Sequence, residues 1–419
     1  MHLQILTEQE MTVSFFAIAL LLLFGFLFGK IFELLHAPKV IGEIVGGMVL
    51  GSTCLHYFFP DAMEMIFKGF PEEGKILNIF YQLGLVFLMF ASGLNTQIDI
   101  NKKNSKLIGI LFVGAMVIPF FVGLFLYRFF ISDFMGEMQH IYAFIIVFLI
   151  SLTVTSIPVI SKIFFDLKLI NTNFSNVVLT VATIKDLCLW IFLNLAIAMV
   201  TGKGQDLANI FLTVGITIFL FVLARWFSRL KEVKLPVAAT SFCTLIFSFL
   251  FFVISILSNF QINIMYSAFI VGYAVKFLIY NNKGYIAKIE NLSDVAFSFF
   301  IPIYFALVGI QLNLIHDFSL RRFLLYFFTA FSLEFFSCFF VLQFMQMKKM
   351  AVLNFSIVMN ARGGPGIVLA TVGYYYKIIN IEFFTVLILT TMISSAIAGY
   401  WLNYQKKRDI TIFNDMKKP

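Results

Sequence analysis

Four charged residues stand inside stretches otherwise fit for hydrocarbon. Lys185 and Asp186 lie in Ala182-Thr183-Ile184-Lys185-Asp186-Leu187, Glu334 in Phe331-Ser332-Leu333-Glu334-Phe335-Phe336, and Arg362 in Asn360-Ala361-Arg362-Gly363. An ionised Asp, Lys or Arg at the centre of a membrane helix costs about 2.5–3.5 kcal/mol, so each must pair or face water. Neighbours on a helix point about 100° apart, so Lys185 and Asp186 cannot satisfy each other and need separate environments. The expectation is that Lys185 pairs with Glu334 from another segment, leaving Asp186 free. A lone carboxylate in such a place holds a proton or a metal cation, and an arriving cation expels the proton. That competition is exchange chemistry. The plainer alternatives are that Asp186 is a structural acid hydrogen-bonded to its neighbours, or that Lys185 is a tethered cation filling the site.

Two segments carry residues that interrupt a helix near its middle: Ser151-Leu152-Thr153-Val154-Thr155-Ser156-Ile157-Pro158 and Asn360-Ala361-Arg362-Gly363-Gly364-Pro365-Gly366. Proline removes a backbone donor and glycine loosens the helix, which frees polar backbone groups that lipid cannot satisfy. Pro158, Gly363, Gly364 and Pro365 are the expected breaks. Where the two segments meet, the Thr153 and Thr155 hydroxyls and Asn360 are expected to complete an oxygen cage with Asp186, a donor set suited to a hard cation. Arg362 is expected to stabilise the meeting point or balance its charge. A simple proline kink without a ligand is the competing reading of either segment.

These residues need a membrane frame, and the composition supplies one. Of 419 residues, 61% are hydrophobic and 12% charged, far from the quarter or so that covers a soluble domain. Apolar runs predict an all-α polytopic membrane protein of about thirteen spans. They divide into one repeat over 11–200, a linker helix at 207–228, a second repeat over 235–403 of inverted topology, and a short cytoplasmic tail at 404–419. Transporters are commonly built from such inverted copies, with broken helices at matching positions. Twenty-one Lys and Arg residues fall on one set of alternate loops and tail and seven on the other, which predicts the N-terminus outside and the C-terminus in the cytoplasm. The net charge of +8 is therefore a topology signal facing anionic lipid, and no nucleic-acid partner is expected. Four cysteines without paired spacing indicate neither a disulfide framework nor a zinc site, and no transition-metal site or cofactor is expected. No phosphate-binding loop suggests ATP as the driving force.

The order of glycine-rich motifs resembles a known family. Gly42-Glu43-Ile44-Val45-Gly46-Gly47-Met48-Val49-Leu50-Gly51, Leu83-Gly84-Leu85-Val86-Phe87-Leu88-Met89-Phe90-Ala91-Ser92-Gly93-Leu94 and Phe300-Ile301-Pro302-Ile303-Tyr304-Phe305-Ala306-Leu307-Val308-Gly309 are similar to segments of the second branch of monovalent cation:proton antiporters. That branch includes bacterial sodium/proton exchangers and the membrane parts of potassium-efflux systems. The resemblance implies a homodimer in a bacterial inner membrane, with a dimerisation domain and a mobile core holding two crossed broken helices. It matches Asp186 to the ion-binding aspartate. Lys185 departs from the acid or amide found before it, and Glu334 stands where Asp-Asp members carry a lysine partner, so the pair is swapped in sign. One titrating carboxylate would then remain, which implies electroneutral exchange of Na+ or K+ for H+. Two other readings stay open: a transport-inactive sensor or scaffold with Lys185 in the cation site, and a sodium-coupled organic-anion symporter of related fold.

Overall fold

The computed structural model describes residues 6–35, 37–95, 104–169, 172–201, 215, 239–259, 264–279, 294–408 and 413. Regular structure among them is helical, with one isolated bridge between Met135 and Ile379. The protein is an all-α, multi-pass membrane protein, and among the described residues eight helical stretches are each long and apolar enough to cross a bilayer. The predicted linker helix at 207–228 lies, apart from residue 215, outside the described residues.

The chain opens with α1 (Glu8–Leu34), started by a capping box in which Thr7 and Glu10 exchange backbone and side-chain hydrogen bonds. It is followed by α2 (Lys39–Leu50), the short α3 (Leu55–Phe58) and α4 (Pro60–Phe67), and α5 (Glu73–Asn95). One span is assembled from α6 (Ser105–Phe112), a π-helical turn at Val113–Val117 and α7 (Ile118–Leu126), whose second residue is Pro119. After α8 (Ile131–Phe134) come the half-helices α9 (Ile141–Thr153) and α10 (Ile157–Asp166), then α11 (Asn173–Val200). The second half contains α12 (Ala239–Asn259), α13 (Ile264–Ile279), α14 (Ile301–Gln311) and α15 (Leu320–Gln343). It ends with the half-helices α16 (Lys349–Val358) and α17 (Gly364–Tyr375), and α18 (Ile381–Arg408).

These helices gather into two bundles. The first, a panel of α1, α2, α5, α12, α13 and α14, is held by backbone contacts that tolerate no side chain. A Cβ on Gly47 would stand 1.9 Å from the Ala306 carbonyl oxygen, and one on Gly309 would stand 2.1 Å from that of Ile44, so α2 and α14 lock reciprocally. Gly93 against Phe269 and Gly272 against Phe90 do the same for α5 and α13, each at 2.1 Å. Close approach through small residues is how helices gain packing energy where lipid removes the hydrophobic drive. The second bundle, of α6–α7, α9–α11 and α15–α18, carries all four buried charges of the sequence argument. In it the π turn is fixed from outside, because the Ser337 hydroxyl of α15 donates to the Gly114 carbonyl at 2.6 Å.

Candidate ion site at a crossing of broken helices

The two interrupted segments meet at their extended links. α9 stops at Thr153, α10 restarts at Ile157, and the Ser156 N–H between them donates to the Ala361 carbonyl at 2.8 Å, in the link between α16 and α17. The Thr155 hydroxyl donates to the Met359 carbonyl at 2.8 Å. Contact is tight enough to require glycine at one point: a Cβ on Gly363 would sit 2.3 Å from Ser156 Oγ and 2.4 Å from Val159 Cγ2. Gly364 and Pro365 open α17, with the proline in the first turn, where a missing N–H leaves no bond unmade. The Pro158 ring lies outside the described side chains, although its backbone falls in the first turn of α10.

The buried charges surround this crossing. Arg362 donates to the Ser151 and Leu152 carbonyls at 2.9 and 3.0 Å, to the Ala330 carbonyl at 3.2 Å and to Glu334 Oε2 at 3.4 Å. It therefore caps α9, whose last carbonyls carry the negative end of the helix dipole. Lys185 Nζ contacts Glu334 Oε1 and the Thr155 hydroxyl. Glu334 thus sits between two cations, and all three side chains are at most 2% exposed. Unpaired, any one of them would be prohibitive here; together they satisfy one another.

The oxygen cage expected around Asp186 is distributed differently. The Thr155 hydroxyl is taken by Met359 and Lys185, and Thr153 turns back onto its own helix, donating to the Ile150 carbonyl at 3.1 Å. Asn360 spends its amide on the Ser356 carbonyl at 3.1 Å and keeps a buried, unpartnered Oδ1. Asp186 is fully buried, and neither carboxylate oxygen has a hydrogen-bond partner. Two further residues join the site without having been singled out in the sequence. Tyr326 donates to Ser151 Oγ at 2.7 Å, and the Ser395 hydroxyl donates to the Arg362 carbonyl. The available signal for Tyr326 was its place eight residues before Glu334, two turns away on the same face of a helix otherwise crowded with phenylalanine.

The family model described as "Sodium/hydrogen exchanger, transmembrane" matches residues 16–404. The chain belongs to the sodium/hydrogen exchanger family. Similar proteins include K(+)/H(+) antiporter 1 of Saccharomyces cerevisiae, 28% identical over 326 residues that make up 74% of this chain and 36% of that protein. Cation/H(+) antiporter 18 of Arabidopsis thaliana is 27% identical over 67% of this chain and 34% of its own length. The chain thus spans only about a third of these longer relatives. Na(+)/H(+) antiporter NhaS4 of Synechocystis is 26% identical over 69% of this chain and 70% of that protein. Among solved structures, the sodium proton antiporter MjNhaP1 from Methanocaldococcus jannaschii superposes with a TM-score of 0.63 at 14% identity, covering 95% of this chain and 99% of that one. The likeness establishes the shared fold.

In this exchanger-family chain the two bundles border unequal openings. A cavity of about 740 Å³ lies between them near the start of α5, lined by Asn78, Tyr81, Gln82 and Gln311 from the panel and Thr371 from α17. Near the start of α2, at the opposite end, Val40, Ile41 and Ile44 close against Val159, Gly363 and Ser395, leaving about 10 Å³. That is about the space of one water molecule, too little for a hydrated path.

Proposed function

We propose that the chain is a secondary antiporter exchanging a monovalent cation for protons by competition at Asp186. The observation that carries this reading is the fully buried carboxylate with both oxygens unpartnered, next in sequence to the Lys185 that reaches Thr155 at the helix crossing, where Asn360 Oδ1 is unpartnered as well. A buried acid in that condition is stable only when it holds a proton or a cation. The names of the similar yeast, plant and cyanobacterial proteins and the MjNhaP1 fold support the same activity.

Charge balance favours one-for-one exchange. Lys185 and Arg362 offset Glu334 and an ionised Asp186, so the empty cluster is neutral. Proton binding and cation binding each add a single positive charge, and the two loaded states are electrically alike. The same contacts disfavour the alternatives. Lys185 is spent on Glu334 and Thr155, so it does not pair with Asp186 as a tethered cation would, and Arg362 is spent on carbonyls and Glu334, leaving little for an organic anion. By the loop charges, the cavity of about 740 Å³ faces outside and the C-terminus lies in the cytoplasm; the family resemblance adds a homodimer in the cell membrane.

Proteoliposomes carrying a pH-sensitive dye test the reading. Pulses of Na+, K+ or Li+ should release protons from the wild type and fail to do so with Asp186→Asn. Undiminished exchange by Asp186→Asn sinks the proposal, and a wild type silent to every cation favours the scaffold.

A further inference from the structure

Exchange across a bilayer requires that one site be presented to each side in turn. Here both bundles line the open cavity at one end and the closed cleft at the other. Re-presentation therefore requires the panel and the crossing bundle to slide against each other. What resists sliding is set by the contacts between them. Apolar ones, such as Trp190 of α11 against Phe269 of α13 or Leu88 of α5 against Gly364, have no preferred direction and re-form after a shift. Hydrogen bonds do have direction and a short range.

Two panel tyrosines converge on one hydroxyl of the crossing bundle. Tyr81 of α5 donates to Thr371 Oγ1 at 3.1 Å, and Tyr304 Oη of α14 lies 3.5 Å from the same oxygen. Their rings pack 5.0 Å apart, and all three residues are buried. Tyr81 and Thr371 also line the open cavity, so the cluster sits where the two bundles part. Thr371 belongs to α17, the half-helix that begins at the crossing, and it moves with the candidate site. A displacement of a few ångströms breaks both contacts at once.

We propose that Tyr81, Tyr304 and Thr371 form a latch that holds the cavity beside Tyr81 open and so sets the balance between the two presentations of the site. The inference rests on the antiport reading for its purpose, yet the latch itself is measurable without transport. Neither Tyr81→Phe nor Thr371→Val touches Asp186, and both preserve side-chain volume closely. Losing one buried hydrogen bond should move the conformational equilibrium about 2- to 10-fold toward closure of the cavity.

The test uses the full chain in proteoliposomes with Cys54, Cys188, Cys243 and Cys338 replaced. A single cysteine is introduced either in the cavity, Gln82→Cys, or in the opposite cleft, Val40→Cys. A membrane-impermeant maleimide applied from the matching side gives a labelling rate for each, and their ratio reads the equilibrium. Thr371→Val and Tyr81→Phe should each lower the cavity-to-cleft ratio about 2- to 10-fold, and the double variant should fall little below Thr371→Val, which already removes the bond that Tyr81→Phe removes. A ratio unchanged in both variants, or fully additive effects, overturns the latch. If the ratio shifts while Asp186→Asn still exchanges cations, the antiport reading fails and the latch stands. If Asp186→Asn is dead and the ratio holds, the latch alone fails.

Discussion

Glu334 is the residue on which the buried cluster turns, because it faces two cations. Removing Lys185 leaves Glu334 with Arg362 at 3.4 Å, whereas removing Glu334 takes from both Lys185 and Arg362 the one carboxylate that they contact. Breaking a buried pair in that second way costs about 3–5 kcal/mol. Glu334→Ala should therefore lower the melting temperature of the detergent-solubilised protein more than Lys185→Ala does. The double variant should be more stable than the sum of the single losses, by more than about 0.5 kcal/mol. Simple additivity would refute direct pairing. The members of this cluster were legible in the sequence, since a charge in an apolar run has few explanations and Lys185, Glu334 and Arg362 had few candidates for partners. The hydroxyl groups were not. Nothing local distinguishes Thr155, which reaches Met359 some 200 residues away, from Thr153, which bonds its own helix. Tyr326 and Ser395 are hidden for the same reason: the carbonyl or hydroxyl each one meets is set by tertiary packing.

Among the elements, the crossing depends on two links lying within hydrogen-bond reach, and Gly363 is what lets them. An added methyl there would meet Ser156 Oγ, Ser156 Cβ and Val159 Cγ2, all at 2.7 Å or less. Relief would require parting the Ser156–Ala361 bond, so Gly363→Ala should cost the roughly 1–3 kcal/mol typical of overpacking and displace Arg362 from the end of α9. The expected result is protein that still inserts in the membrane and exchanges cations poorly, with partial recovery when Val159→Ala makes room. Normal flux from Gly363→Ala would show that the crossing has slack that the geometry denies. The positions of these breaks could be read because proline and glycine announce themselves. The π turn at Val113–Val117 could not, since only the following Pro119 hinted at it and its fixing partner, Ser337, lies on a distant helix. The panel pairings are reciprocal: α2 packs on α14 through Gly47 and Gly309, and α5 on α13 through Gly93 and Gly272, so glycines that read only as a motif turn out to be the points of backbone contact.

At the scale of the whole molecule, the question is whether the moving bundle carries net charge through the membrane field. Lys185, Glu334 and Arg362 are tied to each other and travel as a set, so their contribution is the same in both directions of a cycle. In the proposed cycle only the occupant of Asp186 changes, and each occupant is monovalent. A transported charge feels about 2.3 kcal/mol per 100 mV, roughly a 50-fold change in an equilibrium, so an exchanger of unequal stoichiometry would respond steeply to an imposed potential. This chain should not. In proteoliposomes clamped by an ionophore gradient, the cation gradient that exactly balances a given pH gradient should stay the same at 0 and at −100 mV. Competition adds a second signature in the same preparation: below the pH at which Asp186 takes up its proton, the apparent KM for the cation should rise about tenfold per pH unit, while the maximal rate at saturating cation stays level. A balance point that moves with potential means that a second group titrates during the cycle, and Glu334, held between two cations, is the carboxylate to replace next with glutamine.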